Sequence, residues 1–62
     1  MYTRVIGYLP TGGKKEYHWV NGEVTVTDEH GYTRFEIKMP LEDFNSIPWI
    51  GRFPKNTHIA YD

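Results

Sequence analysis

Between Lys15 and Met39 the large apolar residues recur at every second position, interrupted by two glycine-containing turn signals. Tyr17 and Trp19 precede Asn21-Gly22, Val24 and Val26 follow it, and Phe35, Ile37 and Met39 come after His30-Gly31. A period of two is the signature of β-strands with one buried face. Asn-Gly is the strongest short hairpin signal, because both residues tolerate the positive φ of a type I′ turn. A two-residue turn there pairs Val20 with Glu23, Trp19 with Val24, Tyr17 with Val26 and Lys15 with Asp28. The opposite face then receives His18 with Thr25 and Glu16 with Thr27. A slip of one residue would carry Trp19 and Tyr17 to the polar side, so turn geometry and burial select the same register.

The segment Tyr32 to Met39 alternates as well, with Thr33, Phe35, Ile37 and Met39 on one side and Tyr32, Arg34, Glu36 and Lys38 on the other. A two-residue turn at His30-Gly31, or a four-residue loop in the same register, sets Val26 opposite Phe35 and Val24 opposite Ile37. It also sets Glu23 against Lys38 and Thr27 against Arg34. Such charge pairs are worth about 0.2–1 kcal/mol and tune register more than stability. Trp19, Tyr17, Val24, Val26, Phe35 and Ile37 are thereby expected on one face of a three-stranded meander.

The flanks predict less. Tyr2 to Leu9 carries β-formers on both faces, which suits a strand buried on two sides or one bent at Gly7. Pro10-Thr11-Gly12-Gly13 turns it back toward the second strand. Proline, then Glu42-Asp43, with Leu41 and Phe44 three apart, predicts a short helix near 41–46 that Pro48 ends. Ile59 and Tyr61 suit a closing strand. The predicted architecture is mainly β, a small antiparallel meander with strands near 2–9, 14–20, 23–29, 32–39 and 57–61. In outline this matches a small SH3-like barrel.

Length turns this pattern into a constraint on stability. The chain of 62 residues has room for one domain, 1–62, and aromatics make up 16% of it. A domain so small buries only about 60% of its unfolded surface, so the aromatic rings must carry much of the core, and self-association would add to it. Cysteine is absent, which removes disulfides and thiolate zinc sites. The apolar runs are far shorter than a membrane span, and no apolar signal-type stretch opens the sequence. The expectation is no membrane partner and a cytoplasmic location, in a cell or in the host cell of a mobile element such as a phage. The formal charge of −1 lacks the basic excess of a general polyanion binder.

Chemical motifs are weak. His18, His30 and His58 have no metal-ligand spacing. Thr11-Gly12-Gly13-Lys14-Lys15 lacks the longer loop, terminal hydroxyl and following helix of a phosphate cradle, and reads as a hairpin loop. Asp28-Glu29 and Glu42-Asp43 are adjacent acids in a turn and a first helical turn, not opposed carboxylates around a cleft. No catalytic residue, metal or cofactor is therefore expected, and the chain reads as a non-enzyme.

Two binding surfaces remain. Pro48-Trp49-Ile50-Gly51-Arg52-Phe53-Pro54 gathers large apolar residues and an arginine between prolines, in a stretch expected to lack regular structure. One reading folds Trp49 and Phe53 back to cap an undersized core. The other makes Trp49, Ile50, Arg52 and Phe53 a partner-binding surface, since Trp and Arg are enriched at interface hot spots. Both hold if Ile50 and Arg52 face out while Trp49 packs in. The expected function is a protein-binding module, a small regulator or inhibitor of a larger protein. The alternative is a single-stranded nucleic-acid binder using Tyr2, Arg4, Tyr8, Tyr32 and Arg34, aromatics to stack bases and arginines to meet phosphates. Glu16, Glu23 and Glu36 share the face expected for Arg34 and weaken that alternative.

Overall fold

Alternation in the sequence becomes five antiparallel strands and two short helical segments in the computed structural model, which describes residues 1–62 apart from the Phe35 side chain. The strands are β1 (Arg4–Tyr8), β2 (Lys14–Val20), β3 (Glu23–Thr27), β4 (Thr33–Lys38) and β5 (His58–Tyr61). Between β4 and β5 lie a helix, α1 (Leu41–Ser46), and a single 3₁₀ turn, Trp49–Arg52. The sheet order is β4-β3-β2-β1-β5. β5 thus returns past the helical segment to pair with β1 from the outside.

The Asn21-Gly22 hairpin has the expected register, with Val20 opposite Glu23, Trp19 opposite Val24 and Tyr17 opposite Val26. Asn21 and Gly22 both adopt positive φ, 50° and 85°, as a type I′ turn requires. Val24 faces Ile37 and Glu23 faces Lys38. Tyr17, Val24 and Val26 are buried in one cluster with Val5, and Trp19 packs against it. Ile37 lines a small cavity beside the same residues, which places it on the common side. The expected place of the Phe35 side chain lies outside the described part of the chain, although its backbone pairs with Val26.

The second turn differs from expectation. Asp28 and Tyr32 close a three-residue loop, with Gly31 N–H bonded to the Asp28 carbonyl and Asp28 N–H to the Tyr32 carbonyl, each at 3.0 Å. Gly31 has φ of 83°, the combination of a type I turn and a left-handed residue common in three-residue hairpins. The Asp28 carboxylate accepts from the His30 and Tyr32 amides at 2.9 and 3.0 Å, and from the Arg34 guanidinium. This loop is one residue out of step with the Val26–Phe35 pair, and a bulge absorbs the difference, so Thr27 faces Thr33 rather than Arg34. Thr33 accordingly leaves the apolar row. The expected Lys15–Asp28 strand pair does not form, since β3 ends at Thr27.

The first strand begins at Arg4, not Tyr2. Val5 and Ile6 are both buried, at 0% and 6% exposure, which is the two-sided burial its composition suggested. Gly7 lies beneath the Phe53 ring, where a β-carbon would overlap the ring carbons Cδ1 and Cε1. The helix comes where proline and the two acids place it: Pro40 is its N-cap, its carbonyl accepts from Asp43 and Phe44 at 3.1 Å, and Phe44 is its buried residue. The helix and the 3₁₀ turn cover the Val5/Tyr17 face of the sheet.

The sheet is open, which shows the mainly β antiparallel meander but not the closed SH3-like barrel. Closure would need hydrogen bonds between β4 and β5, the two edges of the sheet, and no ladder joins them among the described residues. The apolar face is instead closed by Phe44 and Trp49, which complete the core cluster. No helix is long and apolar enough to cross a membrane among the described residues.

Candidate partner-binding surface

Between α1 and β5 the chain must pass Pro48, which can start a helical turn but cannot continue α1. Ile47, in extended conformation, ends α1, and Pro48 caps a 3₁₀ turn over Trp49–Arg52. The stretch expected to be irregular is therefore one ordered turn. Its backbone bonds run from Gly51 to the Pro48 carbonyl and from Phe53 to the Ile50 carbonyl, each 3.3 Å.

That turn sorts its side chains. Trp49 points inward and is 6% exposed. Its ring lies 4.5 Å from Tyr17 and 4.7 Å from Phe44, centroid to centroid, and its indole N–H donates to the Phe44 carbonyl at 2.9 Å. Phe53 meets Tyr17 edge-on at 5.4 Å and covers Gly7. Ile50 stays 62% exposed. In a 3₁₀ turn residues three apart eclipse, and the Arg52 guanidinium accordingly lies over the Trp49 ring, 5.5 Å from its centroid. Arg52 has no carboxylate partner among the described residues.

Next to this turn lies a groove of about 330 Å³ lined by Tyr2, Asn45, Ile47, Pro48, Trp49, Ile50 and Tyr61. Tyr61 comes from β5 opposite Val5, hence on the helix-covered face. Tyr2 stacks on it with centroids 4.6 Å apart, and the Tyr2 backbone N–H donates to Asn45 Oδ1. Asn45 is steadied in turn by its side-chain amide N–H, which donates to the Leu41 carbonyl at 3.0 Å. Tyr2 and Tyr61 keep 44% and 41% of their surface exposed. The chain matches no family model, no curated protein and no solved structure. What this surface can do follows from its own chemistry: it is apolar and aromatic and walled by proline, and Arg52 sits on the adjoining turn over the Trp49 ring.

Residues of the alternative nucleic-acid surface lie apart. Tyr2 precedes β1 and belongs to the groove, whereas Arg4 and Tyr8 occupy the opposite face of the sheet. Tyr32 and Arg34 sit at the far edge, three strand spacings or roughly 14 Å from β1. Arg4 pairs with Asp62 at 2.6 Å and Arg34 with Asp28. Partial burial opposes ionisation of Asp28, but the Tyr32 amide, the Arg34 guanidinium and the His30 amide outweigh it and hold its carboxyl below the usual carboxylate range. Both arginines thus already have carboxylates bound where a phosphate would need to sit.

Two features of the groove had no local signal in the sequence. Tyr2 and Tyr61 come from opposite ends of the chain, and only the β1–β5 pairing brings them together. Asn45 looked like an ordinary helix residue. The remaining candidates are placed simply. His18 leans on Glu16 at 3.3 Å, His30 is exposed in the loop after β3, and His58 sits beside Tyr8 on β5. The Gly12-Gly13 segment is the loop of the β1–β2 hairpin, closed by Leu9 N–H to the Gly13 carbonyl at 2.8 Å.

Proposed function

We propose that this chain is a non-enzymatic protein-binding module acting as a small regulator or inhibitor of a larger protein, in the cytoplasm of a cell or of a host cell. One observation carries the reading: Ile50 and Arg52 project from a turn that Trp49 and Phe53 clamp to the core, beside an aromatic groove. Rigidly held exposed groups lose little entropy on binding. Aromatic and arginine side chains are the residue types that supply interface hot spots. The partner that fits has an apolar side chain for the groove between Ile50 and Tyr61 and an acidic group for Arg52. The acidic pairs support the non-enzymatic part, since Asp28 and Glu42-Asp43 organise a loop and a helix start.

The test is affinity capture from the native cell or host, with Ile50→Ala and Arg52→Ala as controls. Each substitution should weaken capture by roughly tenfold or more, as hot-spot truncations do, with the thermal unfolding midpoint little changed. Equal capture by both variants and the native chain would remove this surface from consideration.

A further inference from the structure

The outer edge of β5 matches itself. Arg4 and Asp62 exchange both backbone hydrogen bonds, N–H of Arg4 to the Asp62 carbonyl at 2.9 Å and N–H of Asp62 to the Arg4 carbonyl at 2.8 Å. In an antiparallel ladder bonded and non-bonded pairs alternate. The bonded partners along β1 and β5 are then Ile6 with Ala60 and Tyr8 with His58, within the observed register. His58, Ala60 and Asp62 direct their backbone groups inward to β1. Ile59 and Tyr61 direct theirs outward, where no strand follows in the sheet order.

The two sheet edges are not equivalent. β4 carries Arg34, Glu36 and Lys38 and a bulge near its start, the usual means of blunting an edge. β5 reads His-Ile-Ala-Tyr, without proline, lysine or carboxylate, so its free amides and carbonyls are unprotected.

We infer that β5 pairs antiparallel with β5 of a second copy of this chain, about a two-fold axis at Ala60, joining two sheets into one. In this register the outward-facing Ile59 bonds Tyr61 of the other copy, and Tyr61 bonds its Ile59. Ala60 meets Ala60, the smallest side chain of the strand at the point where a non-bonded pair brings Cα atoms to about 4.5 Å. His58 meets Asp62 of the other copy. The Asp62 carboxylate is held by Arg4 at 2.6 Å on its own sheet and leaves 65% of its side chain exposed. An imidazole N–H donates to it whichever protonation state the ring has. On the other face Tyr61 lies beside Ile59 of the second copy, which covers part of its exposed ring. The β5 edges of both copies are used up in the same contact and the β4 edges are blunted, so the assembly closes at two copies.

Sedimentation equilibrium of the full chain, with amide hydrogen exchange over a range of concentrations, tests the assignment. The expected result is a monomer–dimer equilibrium in which protection of the Ile59 and Tyr61 amides rises with concentration. His58→Asp places acid against acid at both ends of the contact and should raise the dimer dissociation constant by about tenfold. Tyr61→Pro removes an outward N–H without taking a bond from β1, a position where proline is tolerated, and should abolish the dimer while the monomer stays folded. Arg52→Ala, needed for the proposed partner, should leave the dimer intact, so the two readings fail separately. A monomer at every concentration would refute the pairing. So would growth beyond two copies, a dimer whose Ile59 and Tyr61 amides remain unprotected, or dimers of both edge variants as tight as the native one.

Discussion

Replacing Gly7 with alanine tests how the core is closed. Gly7 sits one residue before the end of β1 under the Phe53 ring, and an added methyl would overlap Cδ1 and Cε1 and lie 3.0 Å from Thr57 Cγ2. The backbone itself imposes no penalty, since Gly7 is not among the positive-φ glycines. Overfilling a packed site costs about 1–3 kcal/mol, while alanine in place of glycine returns about 0.4–1 kcal/mol through the unfolded chain. The net expectation is a loss of about 1–2 kcal/mol. A chain of this size has a total stability of about 3–9 kcal/mol, and the midpoint should fall by roughly 5–15 °C. Urea unfolding followed by the fluorescence of Trp19 and Trp49 measures the change. The decisive comparison is with Phe53→Ala as background. There the methyl enters vacated space, so Gly7→Ala should be neutral or slightly stabilising, with a coupling energy of about 1 kcal/mol or more between the two sites. If Gly7→Ala costs the same with and without the Phe53 ring, the steric argument is wrong.

Other substitutions probe separate parts of the fold. Trp49→Phe keeps a ring between Tyr17 and Phe44 but loses the N–H to the Phe44 carbonyl, and should cost about 1–3 kcal/mol by chemical unfolding. Gly22→Ala meets no atom within 4 Å yet must hold φ near 85°, so a loss of about 1–2 kcal/mol in the same assay is expected from backbone strain alone. Asp28→Asn tests the loop after β3. The folded-state carboxyl is held below its usual range, so its stabilisation is present above the ordinary carboxylate pKa of about 3.9 and is lost as pH falls through the lower folded value. Thermal midpoints of native and Asp28→Asn chains should differ at neutral pH and converge in strong acid, and parallel curves across that range would exclude the assignment.

How much of this was readable from residues depends on the distance over which each decision is made. The β2–β3 hairpin rests on Asn21-Gly22 and on the alternation of Tyr17, Trp19, Val24 and Val26, all within one turn and its flanks. Its register follows because a single slip would expose Trp19. The helix is equally local: Pro40, the acids after it and Phe44 define it without help from the rest of the chain. The sequence leaves Trp49 open between core and surface, and a 3₁₀ turn packed over Tyr17, Phe44 and Gly7 buries it while Ile50 stays exposed.

Where neighbours in space are distant in sequence, the local pattern ran out. The bulge before Phe35 arises because the Asp28 carboxylate gathers the His30 and Tyr32 amides and Arg34, and that cluster overrides a plain alternation. The apolar face of the open sheet is covered by Phe44 of α1 and Trp49 of the 3₁₀ turn, and no local pattern in the sequence specifies that cover. The groove requires Tyr2 to meet Tyr61 across the β1–β5 pair. Turn chemistry and side-chain period act between adjacent residues and can be read in one dimension. Edge pairing and ring packing depend on which surfaces remain after those local choices, and only the folded arrangement decides them.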